Sequence, residues 1–253
     1  MKDALELIEK TLSEVLPKLD ERPTILSEAM RYAVLGAGKR IRPLICLASS
    51  LAVGGTKDDA KYPAAAIEIL HNYTLVHDDL PAMDNDELRR GRPTVWKKFG
   101  EANAILAGDA LLALAYRVAA KAPRNVAAIV EVLGEKGVGV VQGQVEDIEK
   151  TKDVPFIYLH KTADLFIASA KMGALAGGGT VEEVALVGEA ARDLGLAFQY
   201  EDDLLDGDSP YSRAETEKLV RETTARAIDG FKRLSGDAEY LVGLANRLVD
   251  RKA

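Results

Sequence analysis

Among 253 residues there is one cysteine, Cys46, so no internal disulfide can form and a reducing cytoplasm is the expected compartment. Its neighbours, ICLA, mark it as a core residue. Histidine is nearly as scarce. His71, His77 and His160 are the only three, and His160 stands at no metal-like spacing from the others, which argues against a His-Asp phosphohydrolase centre. Positive charge is not in excess: the net charge is −7, which speaks against nucleic acid as the main partner. No uninterrupted apolar run reaches membrane-spanning length, so stable membrane insertion is not expected. The N-terminus spaces Leu5, Ile8, Leu12, Val15 and Leu19 by threes and fours, which reads as an amphipathic helix and not a signal peptide. Strand-like alternation is rare, and neither a Pro/Ser-rich linker nor a fixed-period repeat occurs.

What is abundant is apolar spacing at helical period, as in EANAILAGDALLALAYRVAA, broken at short Gly-containing turns. The expected fold is all-α: one domain over residues 1–253, a bundle of about ten helices around a central cavity that is apolar at depth. Ser212 and Glu215 form a capping box that starts the last long segment. Trp96 and Phe99 read as packing residues.

Two aspartate clusters interrupt this apolar pattern. DDLPAMD spans Asp78 to Asp84 and DDLLD spans Asp202 to Asp206, each closing an apolar helix; the first stops before Pro81 and the second at Gly207. Carboxylates at a helix C-terminus meet the negative end of the helix dipole, where cations are favoured. Two such misplacements call for a cation. Asp202 and Asp206, at i and i+4, share a helical face, and all-oxygen sites of this kind suit Mg²⁺, which keeps waters and bridges to a substrate phosphate. Two arginine-rich turns complement them: GKRIRP supplies Lys39, Arg40 and Arg42, and LRRGRP supplies Arg89, Arg90 and Arg92. Guanidinium forks match phosphate oxygens, so basic clusters on an acidic chain point to a small anionic ligand. His71 lies two helical turns before Asp78, on nearly the same face, where an imidazole could donate to a phosphate. His77 and His160 read as structural.

The succession GAGKRIRP, HNYTLVHDDLPAMDNDELRRGRPT, LAGDALL, HKTADL and AFQYEDDLLD resembles the trans-isoprenyl diphosphate synthases, the polyprenyl synthetase family, over about Gly36 to Asp206. It looks most like the bacterial-type short-chain members that make farnesyl or geranylgeranyl diphosphate. The resemblance implies the isoprenoid synthase fold, a homodimer, three Mg²⁺ per active site, and condensation of isopentenyl diphosphate with an allylic diphosphate such as the dimethylallyl or geranyl ester. By position it assigns Asp78 and Asp84 as metal ligands with Asp79 in support, and Asp202 as a ligand with Asp203 and Asp206 nearby. Arg89, Lys161 and Gln199 would contact the allylic diphosphate, and Lys39, Arg42, His71 and Arg90, with Arg40 in the same turn, would hold isopentenyl diphosphate. Gln199 and Thr162 offer an amide oxygen and a hydroxyl to a carbocation.

In the resembled family the fourth and fifth positions before the first aspartate, here Thr74 and Tyr73, face the growing chain. Thr74 lies about 6 Å below Asp78 by the helical rise, and a tyrosine beside it would make a floor, so farnesyl diphosphate is the expected product, with geranylgeranyl or geranyl diphosphate as alternatives. Two departures stand out. The chain lacks the Gly-Lys loop usual after the second aspartate cluster, its next lysine being Lys218, and Glu201 adds a carboxylate directly before Asp202. A terpene cyclase would share the cavity, but it would lack the repeated DDLLD and the paired basic sites. A regulatory subunit of a heteromeric synthase is the non-enzymatic rival, kept open by the missing loop and opposed by the intact aspartates.

Overall fold

A computed structural model describes residues 2–249. Among the described residues ten long helices make up the architecture: α1 (Lys2–Val15), α2 (Thr24–Val34), α3 (Ile41–Ala52), α4 (Lys57–Asp78), α6 (Glu101–Ala119), α7 (Val126–Ile148), α9 (Asp164–Gly177), α10 (Val181–Asp206), α11 (Arg213–Lys232) and α12 (Glu239–Val249). Short helices α5 (Val95–Phe99) and α8 (Val154–Ile157) join them, and a π-helical turn, Tyr158–Ala163, runs directly into α9. The only strands among the described residues are Leu88–Arg89 and Arg92–Pro93, a two-residue hairpin. The all-α expectation holds.

α9 is the central helix. Its sequence, DLFIASAKMGALAG, is apolar on every face and almost wholly buried, as a helix surrounded by others must be. It packs against α3, α4, α7 and α10, while α11 covers the outer side of α10. The small residues Ala168, Ala170, Ala174 and Ala176 are buried and let neighbouring helices approach closely.

α4 and α10 are the helices that matter for the site, and they are built alike. Each begins with a complete capping box, Thr56 with Asp59 and Thr180 with Glu183, which satisfies the first backbone donors. Each then runs through buried alanine and aliphatic residues to an acidic C-terminus. α4 ends at Asp78, and the chain turns so that the Asp84 amide donates to the Asp78 carbonyl at 2.9 Å. α10 ends at Asp206 with Gly207 left-handed at φ 76°. The Ser212–Glu215 box starts α11, as expected.

At the N-terminus the structure departs from the spacing pattern. α1 ends at Val15, just before Pro17, and Leu19 lies beyond it, 59% exposed, so the amphipathic repeat covers only Leu5 to Val15. α6 is long and apolar enough by composition to cross a membrane. It nevertheless carries Glu101, Asp109 and Arg117 and packs its buried side on α4.

Candidate active site

Two adjoining cavities open at the end of the bundle where α4 and α10 terminate. One, of about 490 Å³, is cationic, lined by Lys39, Arg42, His71 and Arg90 with Phe198. The other, of about 460 Å³, has Asp78, Lys161 and Thr162 at its mouth and Tyr73, Leu80, Met83, Val140, Val141 and Val145 along its walls. Arg42 and His71 line both, so a ligand in one cavity lies beside a ligand in the other.

In the shared wall, Arg42 Nη1 donates to His71 Nε2 at 3.3 Å. Arginine cannot accept, so the neutral imidazole carries its proton on Nδ1. Burial first, and then the surrounding arginines, hold the His71 pKa well below the usual histidine range. His71 Nδ1 and Arg42 Nε are both buried without a partner, two donors whose desolvation cost is uncompensated until an anion arrives. The hairpin supplies the next cation. Arg90 and Gly91 have φ of 53° and 74°, the signature of a type I′ turn, and this backbone sets Arg90 Nη1 on the Ala37 carbonyl at 2.6 Å.

Arg40 corrects the sequence expectation. It is 3% exposed, and its guanidinium is consumed by Glu9, Glu68 and the carbonyls of Val34 and Gly36. A guanidinium so occupied ties α1, α4 and the 34–40 turn together; it holds the turn that presents Lys39 and Arg42 and has no donor fork left for a phosphate.

Of the first aspartate cluster, Asp78 faces the apolar cavity and Asp84 is exposed at its rim. Burial raises the Asp78 carboxyl to about 6, with Lys161 opposing and Asp84 adding to the rise. Asp79 turns the other way. It is buried, and Arg89 Nε donates to it at 2.6 Å, so its carboxylate orients Arg89 and does not line the apolar cavity. Arg89 also pairs with Asp86 at 3.5 Å.

In the second cluster, Asp202 lies close enough to Arg42 to favour its charged form. Asp206 is exposed at the helix end. Asp203 is buried and accepts from Tyr158 and from Gln199 Nε2, the latter at 2.8 Å. That engagement removes it from the expected metal set. Gln199 Oε1 in turn accepts the Thr162 hydroxyl at 2.6 Å, so Thr162 spends its proton on the amide and keeps its lone pairs for the cavity. Glu201, for which the sequence suggested no role, is buried.

Among the described residues no three acidic, histidine or cysteine side chains converge tightly enough to hold a metal alone. The donors fit Mg²⁺ nonetheless: they are all carboxylates, and a half-buried carboxyl raised to about 6 is short of positive charge.

Two residues escaped the sequence reading. Asp147, on α7, accepts from Lys161, and Gln144, one turn earlier, lines the apolar cavity with a buried, unpartnered amide nitrogen. Both sit in the run VVQGQVEDI, where polar residues set among valines were the available signal.

Comparison with known proteins agrees with this geometry. The polyprenyl synthetase family profile matches residues 23–220. A chloroplastic geranylgeranyl pyrophosphate synthase of Capsicum annuum is 45% identical over 213 residues, covering 79% of this chain and 57% of its own length. A heterodimeric geranylgeranyl pyrophosphate synthase large subunit 2 of Arabidopsis thaliana is 44% identical, covering 98% of this chain and 73% of its own. The chain thus spans about 57% of the length of the first of these relatives. Among solved structures, an FPP/GFPP synthase from Zymomonas mobilis superposes with a TM-score of 0.90 at 33% identity, covering 98% of this chain and 96% of that one. A geranylgeranyl pyrophosphate synthetase from Pyrococcus horikoshii gives 0.89 at 30% identity, over 99% and 97%.

Proposed function

Because the chain belongs to the polyprenyl synthetase family, we propose that it joins isopentenyl diphosphate head-to-tail to an allylic diphosphate, through one catalytic domain. The observation that carries this reading is the shared wall: a cationic cavity with unpaired donors and an apolar cavity with an acidic mouth meet at Arg42 and His71. Isopentenyl diphosphate fits the first, its phosphates met by Lys39, Arg42, His71 Nδ1 and Arg90. The allylic ester fits the second, with its chain between α4 and α7 and its diphosphate toward Lys161 and Arg89.

Asp78 and Asp84 on one rim, and Asp202 and Asp206 on the other, would hold Mg²⁺, in the proposed number of three. Bound there, the metal neutralises charge developing on the departing diphosphate. Lys161 and Arg89 orient that leaving group as the allylic C–O bond breaks. The Thr162 lone pairs face the resulting carbocation, and the apolar walls exclude water that would quench it. The isopentenyl double bond supplies the electron pair for the new C–C bond. A proton then leaves the adjacent carbon for a diphosphate oxygen, so no side-chain base is needed.

For product length the relatives favour geranylgeranyl diphosphate over the farnesyl diphosphate expected from Tyr73, since those quoted from Capsicum annuum and Arabidopsis thaliana both carry the geranylgeranyl name. A physical reason supports them. Tyr73 does line the apolar cavity, edge-to-face against His77 with centroids 5.0 Å apart. The opposite wall, however, is formed by Val141, Val145 and Ile148, each roughly half exposed, so the cavity opens along α7 and does not end squarely on the ring. Incubation with isopentenyl diphosphate, Mg²⁺ and each allylic primer is expected to yield elongated, acyclic diphosphates ending at geranylgeranyl. Cyclic hydrocarbons would instead identify a cyclase, and no product would leave the regulatory-subunit reading. Tyr73→Ala should leave the longest product unchanged; a product longer by one isoprene unit would make the Tyr73 ring the cavity's end.

Outside the cavity walls, Ile105 and Leu106 of α6 and Val138 of α7 are exposed apolar residues, surface of the kind a partner covers. A second copy of the chain is the proposed cover. Leu106→Glu combined with Val138→Glu is expected to halve the mass measured by sedimentation, and an unchanged dimer would place the interface elsewhere. A cytoplasmic location is proposed from the lone reduced cysteine, buried on α3, although the Capsicum annuum relative is named as chloroplastic.

A further inference from the structure

Behind the π-helical turn lies a buried ionic cluster that the reaction does not use. Asp164, the first residue of α9, is 1% exposed. It accepts from His160 Nδ1 at 2.7 Å, and Lys136 Nζ of α7 lies 3.2 Å from its other oxygen. The His160 ring packs against Phe156 with centroids 4.2 Å apart. Two glycines of α7 make the approach possible: a Cβ at Gly139 would fall 2.0 Å from Asp164 Oδ2, and one at Gly143 would fall 2.4 Å from the Lys161 amide nitrogen. α7 is therefore seated on the turn backbone at one glycine and on its anchoring carboxylate at the other.

A π turn inserts an extra residue into a helix and forfeits regular i→i−4 bonds, so it persists only where its surroundings hold it. Here the turn places Lys161 and Thr162, consecutive residues, at the mouth of the apolar cavity. His160 hydrogen-bonds across to Asp164 from within the turn, and Lys136 ties that pair to α7. The carboxylate touches the turn through His160 and the helix beneath it through Lys136.

We propose that Asp164, with Lys136 and His160, is a positioning device that holds the π turn and so aims Lys161 and Thr162 at the allylic substrate. This rests on the prenyl-transfer reading for its catalytic consequence but not for its structural one. In Asp164→Asn and Lys136→Met, hydrogen exchange of the amides of residues 158–163 is expected to accelerate about tenfold or more while α10 and α11 keep wild-type protection. Turnover with the allylic substrate should fall about ten- to a hundredfold, as misplacement of substrate-orienting groups produces, with KM for isopentenyl diphosphate unchanged. Lys136→Arg, which keeps the charge, should restore both readouts toward wild type. Wild-type exchange in the turn of both variants overturns the proposal, and so does uniformly faster exchange throughout the protein, which would make the cluster a general stabiliser. If the wild-type protein itself transfers no prenyl group, the functional reading fails while the exchange experiment still judges the positioning role.

Discussion

Asp78→Asn is expected to lower prenyl transfer by about a thousandfold or more and, in the same protein, to raise the melting temperature of the unliganded form. The first effect follows from removing a carboxylate from the metal-holding rim, where charge stabilisation of the transition state is worth several kcal/mol. The second follows from what that carboxylate costs. Asp78 ends α4 against the helix dipole, and burial raises it to about 6. Its folded-state pKa thus lies above the unfolded value, so its stabilising contribution is complete below about pH 4 and is lost as pH rises through 6. At pH 7 the folded protein carries a penalty that the amide lacks, about 1–2 kcal/mol once residual solvent contact is allowed for. Melting curves of both proteins from pH 5 to 8 provide the check. The gap should be widest at pH 8 and shrink toward pH 5, and Mg²⁺ with a diphosphate should narrow it by stabilising only the wild type. Equal melting temperatures at every pH would show that the carboxylate is not strained, and retained turnover would remove it from the metal set.

Arg42→Met should weaken isopentenyl diphosphate binding by about two to three orders of magnitude, since two charge-assisted hydrogen bonds are worth about 3–5 kcal/mol together. Arg42 lines both cavities, its Nε is buried without a partner, and the guanidinium stacks 5.4 Å over Phe166. Methionine keeps the packing stem and removes the fork. A second readout is independent of substrate. Arg42 is the largest charge holding His71 in its neutral form, so the imidazole should titrate at higher pH in the variant, measurable by NMR. A His71 resonance unmoved by the substitution would mean that burial alone suppresses its charge; unchanged affinity would place the diphosphate elsewhere.

Both results rest on one arrangement: groups whose charge or donors are unsatisfied before the ligand arrives. Such an arrangement is visible in the chain only as a motif. DDLPAMD, DDLLD, GKRIRP and RRGRP announce which residue types gather, because carboxylates at helix ends and arginines beside tight turns are local facts. Local facts do not say which way a side chain points. Asp78 and Asp79 are adjacent, yet one faces the cavity and the other is taken by Arg89 on the far side of the turn. Arg40 and Arg42 stand two apart, yet Arg40 is buried among Glu9, Glu68 and two carbonyls. Asp203 goes to Tyr158, forty-five residues away in the chain.

The helical architecture, the two acidic helix ends and the Ser212–Glu215 cap that starts α11 were readable from spacing alone, since hydrophobic period, capping chemistry and proline sterics act within a turn or two of the backbone. The division of labour within each cluster, the pairing of Lys161 with Asp147, and the wall shared by two cavities depend on residues distant in the chain meeting at set distances. Those meetings are decided when α4, α7, α9 and α10 pack, because buried polar groups take whichever partners the packed helices bring within hydrogen-bonding reach.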